Sequence, residues 1–352
     1  MKKPLRSTLF LGLLACTLAF TEPPPDHPSL ASEVLETYPP KPGDDPAVAA
    51  TAFLAALTEE LSKECIHPLD CEHRAQWTNV PPGANEDGVR LGDLDETQLQ
   101  RATDLLATVL SPEGYAKVRD VLLADDKLLR NGRPRRGFGA ENFWLGIFGD
   151  PEGGAKDGRE WGLQLDGHHI ALNLSFKGEE MTMSPTFIGT QPAKYRRGEA
   201  TIVPLRELSE LAYGFVAALS AGQRQQAIQS PRRGRIAAGA GRDGYVPEPI
   251  GLACADLDEN QGALLTALIE AYVRDLPAGH MQARLHALRE EVPEMTFAWS
   301  GPTAKRSDIS YRLQGPSVII EFACQDLGGD PLNHLHSMYR NPENEYGASL
   351  GR

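Results

Sequence analysis

The stretch from Asn142 to Phe187 constrains the fold more than any other part of the chain. Phe143-Trp144-Leu145-Gly146-Ile147-Phe148 reads as a buried strand, followed by a loop rich in Gly, Asp and Pro from Gly149 to Arg159. Strands are then expected over 161–165, 168–176 and 180–187, with Lys177-Gly178 as the tight turn between the last two. Turns this short impose antiparallel pairing. The same pattern returns near the C-terminus, at 295–299, 309–313 and 317–323, with Gly315-Pro316 as a turn. Elsewhere the apolar period is helical. Helices are expected at about 46–64, 96–110, from Pro112 onward, and at about 205–229, 259–274 and 280–290. Runs of hairpins alternating with runs of helices specify an α+β fold. The expected architecture is an antiparallel sheet built from hairpins, packed with several helices and preceded by a helical N-terminal part. No internal repeat and no linker is evident after about residue 46, so 46–352 reads as a single domain.

The first residues carry a different message. Met1-Lys2-Lys3-Pro4-Leu5-Arg6 is a positive region, and Leu9 to Ala15 is an apolar stretch too short to span a membrane. Leu13-Leu14-Ala15-Cys16 has the form of a lipoprotein cleavage site, which makes 1–15 a signal peptide and Cys16 a lipid anchor. Cleavage after Ala19 is the other possibility. Prolines are dense from Pro23 to Pro46, so 16–45 reads as an extended tether. The compartment implied is extracytoplasmic, at the periplasm or cell surface, with membrane contact through Cys16 only.

Five cysteines occur. Setting Cys16 aside leaves Cys65, Cys71, Cys254 and Cys324, and an exported chain can pair all of them. The expected bridges are Cys65–Cys71, closing around Pro68, and Cys254–Cys324. Free buried thiols are the alternative. A zinc site at Cys65, His67, Cys71 and His73 lacks the usual spacing.

Several function classes have no support. With 48 acidic against 35 basic residues and a net charge of -13, nothing suggests nucleic-acid binding. Gly239-Ala-Gly241-Arg-Asp-Gly244 has dinucleotide-type spacing, but no strand precedes it. Asp256-Leu-Asp258 starts like a calcium loop but has Gln261 where glycine is needed, and reads better as a helix cap. Serine-hydrolase, zincin and P-loop motifs are missing.

Two histidine motifs remain. One is Asp166-Gly167-His168-His169; the other is Asn333-His334-Leu335-His336-Ser337. Together with Trp161 through Leu165, Met183-Ser184-Pro185-Thr186-Phe187-Ile188-Gly189, Phe297-Ala298-Trp299-Ser300-Gly301, Tyr311 through Pro316 and Tyr346-Gly347, they resemble the Domain of Unknown Function 3500 family over about residues 95–350. The resemblance implies membership and the pairing of the two motifs. It implies no activity.

The residues themselves say more. His334 and His336 share a face in extended chain, whereas a helix would turn them about 200° apart. They can therefore form a two-nitrogen clamp. In a strand starting at His168, His169 lies on the more polar face and is the better third ligand; His168 replaces it if the backbone bends at Gly167. Three neutral imidazoles suit a divalent metal ion such as Zn, Cu or Fe, with a position open for a small-molecule substrate. Asp166 is placed to hold a histidine ring nitrogen, and Glu321 and Arg340 are candidate acid/base and anion-binding groups. For Glu321 a salt bridge with Arg312, diagonal across the hairpin, is the competing role. The sequence thus points to a metal-dependent enzyme of unspecified reaction. A non-catalytic small-molecule binding protein, or a purely structural use of the histidines, competes with it.

Overall fold

The computed structural model describes residues 28–80, 87–130, 133–134, 137–327 and 329–351. Residues 1–15, read as a signal peptide, and Cys16 lie outside the described residues. Ten α-helices are present among them: α1 Leu30–Thr37, α2 Pro46–Ala56, α3 Glu59–Cys65, α4 Glu96–Val109, α5 Pro112–Asp125, α6 Pro151–Asp157, α7 Arg206–Ala218, α8 Ala221–Ala227, α9 Glu259–Val273 and α10 Ala278–Glu291. The first eight strands are β1 Ile66–His67, β2 Val89–Arg90, β3 Leu129–Arg130, β4 Arg133–Pro134, β5 Phe143–Gly149, β6 Trp161–Gly167, β7 Ile170–Lys177 and β8 Glu180–Thr190. The rest are β9 Tyr195–Arg197, β10 Ala200–Ile202, β11 Ile228–Ser230, β12 Leu252–Ala253, β13 Thr296–Ser300, β14 Ser310–Gln314, β15 Ile319–Cys324 and β16 Leu335–Arg340. β3–β4 and β9–β10 are separate two-stranded pairs.

Twelve strands form one sheet, with the path β1-β5-β6-β7-β8-β16-β15-β14-β13-β11 and with β2 and β12 paired at its margins. Two antiparallel meanders, β5 to β8 and β13 to β16, meet where β8 pairs with β16. The α+β expectation is met. The sheet is mixed rather than wholly antiparallel, because short β1 and β11 run parallel to β5 and β13. Both follow helices instead of hairpin turns, so tight-turn geometry does not set their direction.

One face of the sheet carries Leu163, Leu165, Leu172, Leu174, Ile320 and Phe322, all in the helical core. The opposite face holds a cross-strand row of Asp166, Ala171, Phe187, Met338, Glu321 and Arg312. Its cover is loop and a short 3-10 turn (Glu72–Gln76) rather than α-helix: Arg74 donates to the Leu174 carbonyl (2.7 Å), and Ala237 and Ala238 donate to Glu321. The buried Gln164 and Asn173 on this face are paired, as desolvation requires. The Asn173 amide links the Gln164 side chain to the Pro185 carbonyl.

Local chemistry explains where elements differ from expectation. The helix expected at 46–64 breaks, and Thr58 caps α3. The one expected at 205–229 breaks at Ser220, which forms a capping box with Gln223. Pro151 at the first helical turn and Gly158 in a left-handed conformation bracket α6, inside the stretch read as loop. The stretch read as an extended tether contains α1, capped by Ser29. Beyond α1, Tyr38 and the Lys41 amide both bond Asp104 of α4, and the Gly43 amide bonds Thr108. Residues 28–45 therefore belong to the folded body; the proline content bounds a short helix instead of keeping the chain extended.

The two expected disulfides are not formed: Cys65, Cys71, Cys254 and Cys324 are free. Cys65 ends α3 with its thiol buried toward the Leu145 carbonyl, while Cys71 precedes the next helical turn. Burial pushes the Cys65 and Cys254 thiols up to about 12 and Cys324 up to about 11, which keeps them protonated and inert.

Candidate metal centre

β6 and β7 are joined by a two-residue turn made of His168 and His169, closed by the Gly167–Ile170 pair. The strand expected to begin at His168 thus begins at Ile170. His169 takes a left-handed backbone (φ 70°) and Gly167 has φ 154°, so strand alternation no longer separates the two rings. They lie against each other with centroids 3.7 Å apart.

β8 runs between β7 and β16. Ile170 pairs with Ile188, and Gly189 pairs with His336. His169 and His336 therefore flank Gly189 from the strands on either side, about two strand spacings or 9–10 Å apart at the backbone. Glycine leaves the space above β8 empty. A Cβ there would lie 2.7 Å from His169 Cδ2 and 3.0 Å from His336 Cδ2. His334, just before β16 and extended (φ -141°, ψ 108°), completes the group. Its Nε2 lies 2.8 Å from His169 Nε2 and 2.9 Å from His336 Nε2. The three side chains offer ligand nitrogens that all lie within 4.8 Å of one another and could hold a metal ion.

The carbonyl of Leu327 lies 2.7 Å from His334 Nδ1. A carbonyl only accepts, so Nδ1 carries the proton and the neutral ring turns its Nε2 lone pair toward the other two histidines. Burial holds the pKa of His169, His334 and His336 below the ordinary imidazole value, and neighbouring imidazoles add to the effect. The cluster is neutral at pH 7.

Asp125, the last residue of α5, takes the role expected of Asp166. Its Oδ1 lies 2.5 Å from His168 Nδ1, and its Oδ2 accepts from the Gly139 amide. His168, stacked on His169, is thus backed by a carboxylate; Asp125, His168 and His169 form a second group able to hold a metal ion. Asp125 is 43 residues from His168 in sequence and ends a helix that carries no histidine or metal-ligand motif, so no local signal marks it.

Asp166 instead faces the loop side of the sheet. One oxygen accepts from the Thr78 amide (3.3 Å) and the other is buried without a partner. Burial pushes its pKa up to about 7. Between about pH 4 and 7 the folded chain holds a proton that the unfolded chain releases, so this group lowers stability as pH rises through that window. Asp166→Asn removes the penalty. Thermal melts at pH 8 are expected to show the variant more stable than the natural chain, by up to about 4 kcal/mol, with little difference at pH 4. A variant less stable at pH 8 would mean that the carboxylate is needed ionised.

Glu321 and Arg340 are brought to a different task. Arg312 lies directly across from Glu321, not diagonally, and its guanidinium goes to the Glu248 carbonyl. The Glu321 carboxylate accepts from the Ala237 and Ala238 amides (2.9 and 2.8 Å). Burial raises its pKa, against the pull of those amides. Arg340 pairs with Glu345 and donates to the carbonyls of Arg242 and Tyr245 (3.0 Å each). The two buried charges pin one loop, residues 231–251, over the sheet. That loop walls a cleft of about 680 Å³, bordered by Phe187, Arg235, Ile236, Tyr245 and Leu327, which reaches the half-buried His336. The failed dinucleotide spacing of residues 239–244 is part of this wall.

No curated protein and no solved structure matches the chain. A family model described as "Protein of unknown function (DUF3500)" matches residues 41–348. The match begins well before residue 95, where the resemblance was expected to start, and takes in the Cys65–Cys71 stretch. With this coverage, on top of the two histidine motifs that the fold brings together, the chain is a member of the DUF3500 family.

Proposed function

We propose that the chain is an exported metal-dependent enzyme. His169, His334 and His336 hold one divalent ion of the Zn, Cu or Fe kind, and the adjoining cleft admits a small-molecule substrate. One observation carries this reading. The single Nε2 lone pair of His334 is approached at 2.8 and 2.9 Å by two other imidazole nitrogens. Only one of them can donate a hydrogen bond to it, so three neutral rings crowd a point that a cation satisfies. Tetrahedral coordination at about 2.0–2.1 Å sets ligand nitrogens about 3.3 Å apart, so the rings need to open by only about half an ångström. Such an ion polarises a bound water or substrate oxygen. Three protein ligands leave a position open, the pattern of catalytic rather than structural sites. His336 is the one ring of the three that is only partly buried, and it borders the cleft, which supports access from that side. The Lys-rich start and the Leu13-Leu14-Ala15-Cys16 stretch support export with a lipid anchor.

Elemental analysis of the full chain, purified from an oxidising compartment without chelator, tests the reading. About one Zn, Cu or Fe per chain is expected. Metal near background, together with retained binding of small molecules, would replace the enzyme with a non-catalytic binding protein.

A further inference from the structure

The cleft beside His336 has a charge pattern that the histidines do not explain. Arg235 and Arg242 border it, both exposed. Among the described residues neither guanidinium is in an ion pair, although acids are close by in the chain. Asp243 accepts from the Tyr346 hydroxyl and Glu321 is held by the loop amides; Asp326, an exposed acid that also lines the cleft, has one oxygen 3.3 Å from Arg233. The Arg242 guanidinium lies 5.7 Å from the Tyr245 ring centre, a contact that leaves its hydrogen-bond donors unused. In a chain of net charge -13, composition alone would place acids beside most arginines. The loop that carries both is fixed from below by Arg340, through the carbonyls of Arg242 and Tyr245. Phe187, Ile236 and Leu327 supply apolar lining in the same cleft as the arginines and His336.

We infer that the cleft takes a small organic anion, with a carboxylate or phosphate group on Arg235 and Arg242 and its apolar body against Ile236 and Phe187. The far end then lies at His336. This deepens the metal reading, on which it rests only for the chemistry at that far end. Guanidinium forks match planar oxyanions with paired hydrogen bonds, which a neutral amide of the same shape cannot return. The cleft volume is in the range that small ligands occupy.

Calorimetric titration of the metal-loaded full chain with benzoate, phenyl phosphate and benzamide tests the inference. At least one of the two anions is expected to bind about tenfold tighter than benzamide. That advantage is expected to vanish in the Arg235→Gln/Arg242→Gln double variant, whose metal content stays that of the natural chain. Whichever anion leads names the oxyanion group. Equal binding of all three probes, or an anion preference that survives the double substitution, overturns the inference. Metal is measured on the same samples. An anion preference in protein that takes up no metal keeps the anion cleft and removes the metal reading; stoichiometric metal with no preference does the reverse.

Discussion

Replacing His334 by alanine is expected to abolish metal-dependent stabilisation while leaving the fold intact. His334 is the one ring in close contact with both of the others, at 2.8 and 2.9 Å. Without it His169 and His336 remain on opposite sides of Gly189 with two nitrogens between them, too few for tight binding. The cost to the metal-free chain is small. The side chain takes part in two hydrogen bonds, one donated to the Leu327 carbonyl and one that Nε2 accepts from a neighbouring ring, each worth about 1 kcal/mol. Most of the core lies on the other face of the sheet. In the natural chain, free metal at about a thousand times its dissociation constant adds about 4 kcal/mol to stability. Melts of both proteins, with metal and with chelator, should show a shift of several degrees in the natural chain and none in His334→Ala. His280→Ala, on α10, serves as the control and keeps the shift. An equal metal-induced shift in His334→Ala would place the metal elsewhere.

The second large effect is expected at a residue that bears no ligand. Gly189→Ala puts a methyl group 2.7 Å from His169 Cδ2 and 3.0 Å from His336 Cδ2, so at least one ring has to move. Gly189 sits within β8 in ordinary strand conformation, so alanine adds no backbone strain. The consequence falls on the rings. Metal affinity should drop about 10- to 100-fold, the range seen when groups that orient ligands are disturbed. Overpacking should cost about 1–3 kcal/mol in the metal-free chain. Competition titration against a chelating dye measures the first and denaturant unfolding the second. Unchanged affinity would show that the metal does not need His169 and His336 at their present separation.

The sequence conveys the histidines better than it conveys Gly189. Hairpins around Lys177-Gly178 and Gly315-Pro316 were legible because turn residues interrupt apolar alternation. The His334–His336 pair was legible as an extended clamp, since Pro331 and Asn333 argue against helix. That Gly189 lies between the clamp and His169 was not. It follows from β16 pairing with β8, a contact between segments far apart in sequence that no local pattern specifies. The faces of His168 and His169 are not legible from strand alternation, because the two residues form a turn; a glycine followed by two polar residues between apolar runs is the signal for it. The sequence offers Glu321 and Arg340 as candidate acid/base and anion-binding groups; the structure buries both. Their partners, the amides and carbonyls of residues 237–245, come from a loop whose course composition does not reveal. The cysteines were paired from compartment and even count alone, and neither reports on burial.

X-ray absorption at the metal edge of the loaded full chain reads the ligand set itself. Three nitrogens at about 2.0–2.1 Å are expected, with the outer-shell scattering of imidazole, plus one or two light atoms from solvent. Loss of one imidazole, or of all bound metal, is expected in His334→Ala. A first shell containing sulfur, which would come from Cys65, Cys71, Cys254 or Cys324, or a shell of oxygens alone, would contradict the three-histidine site.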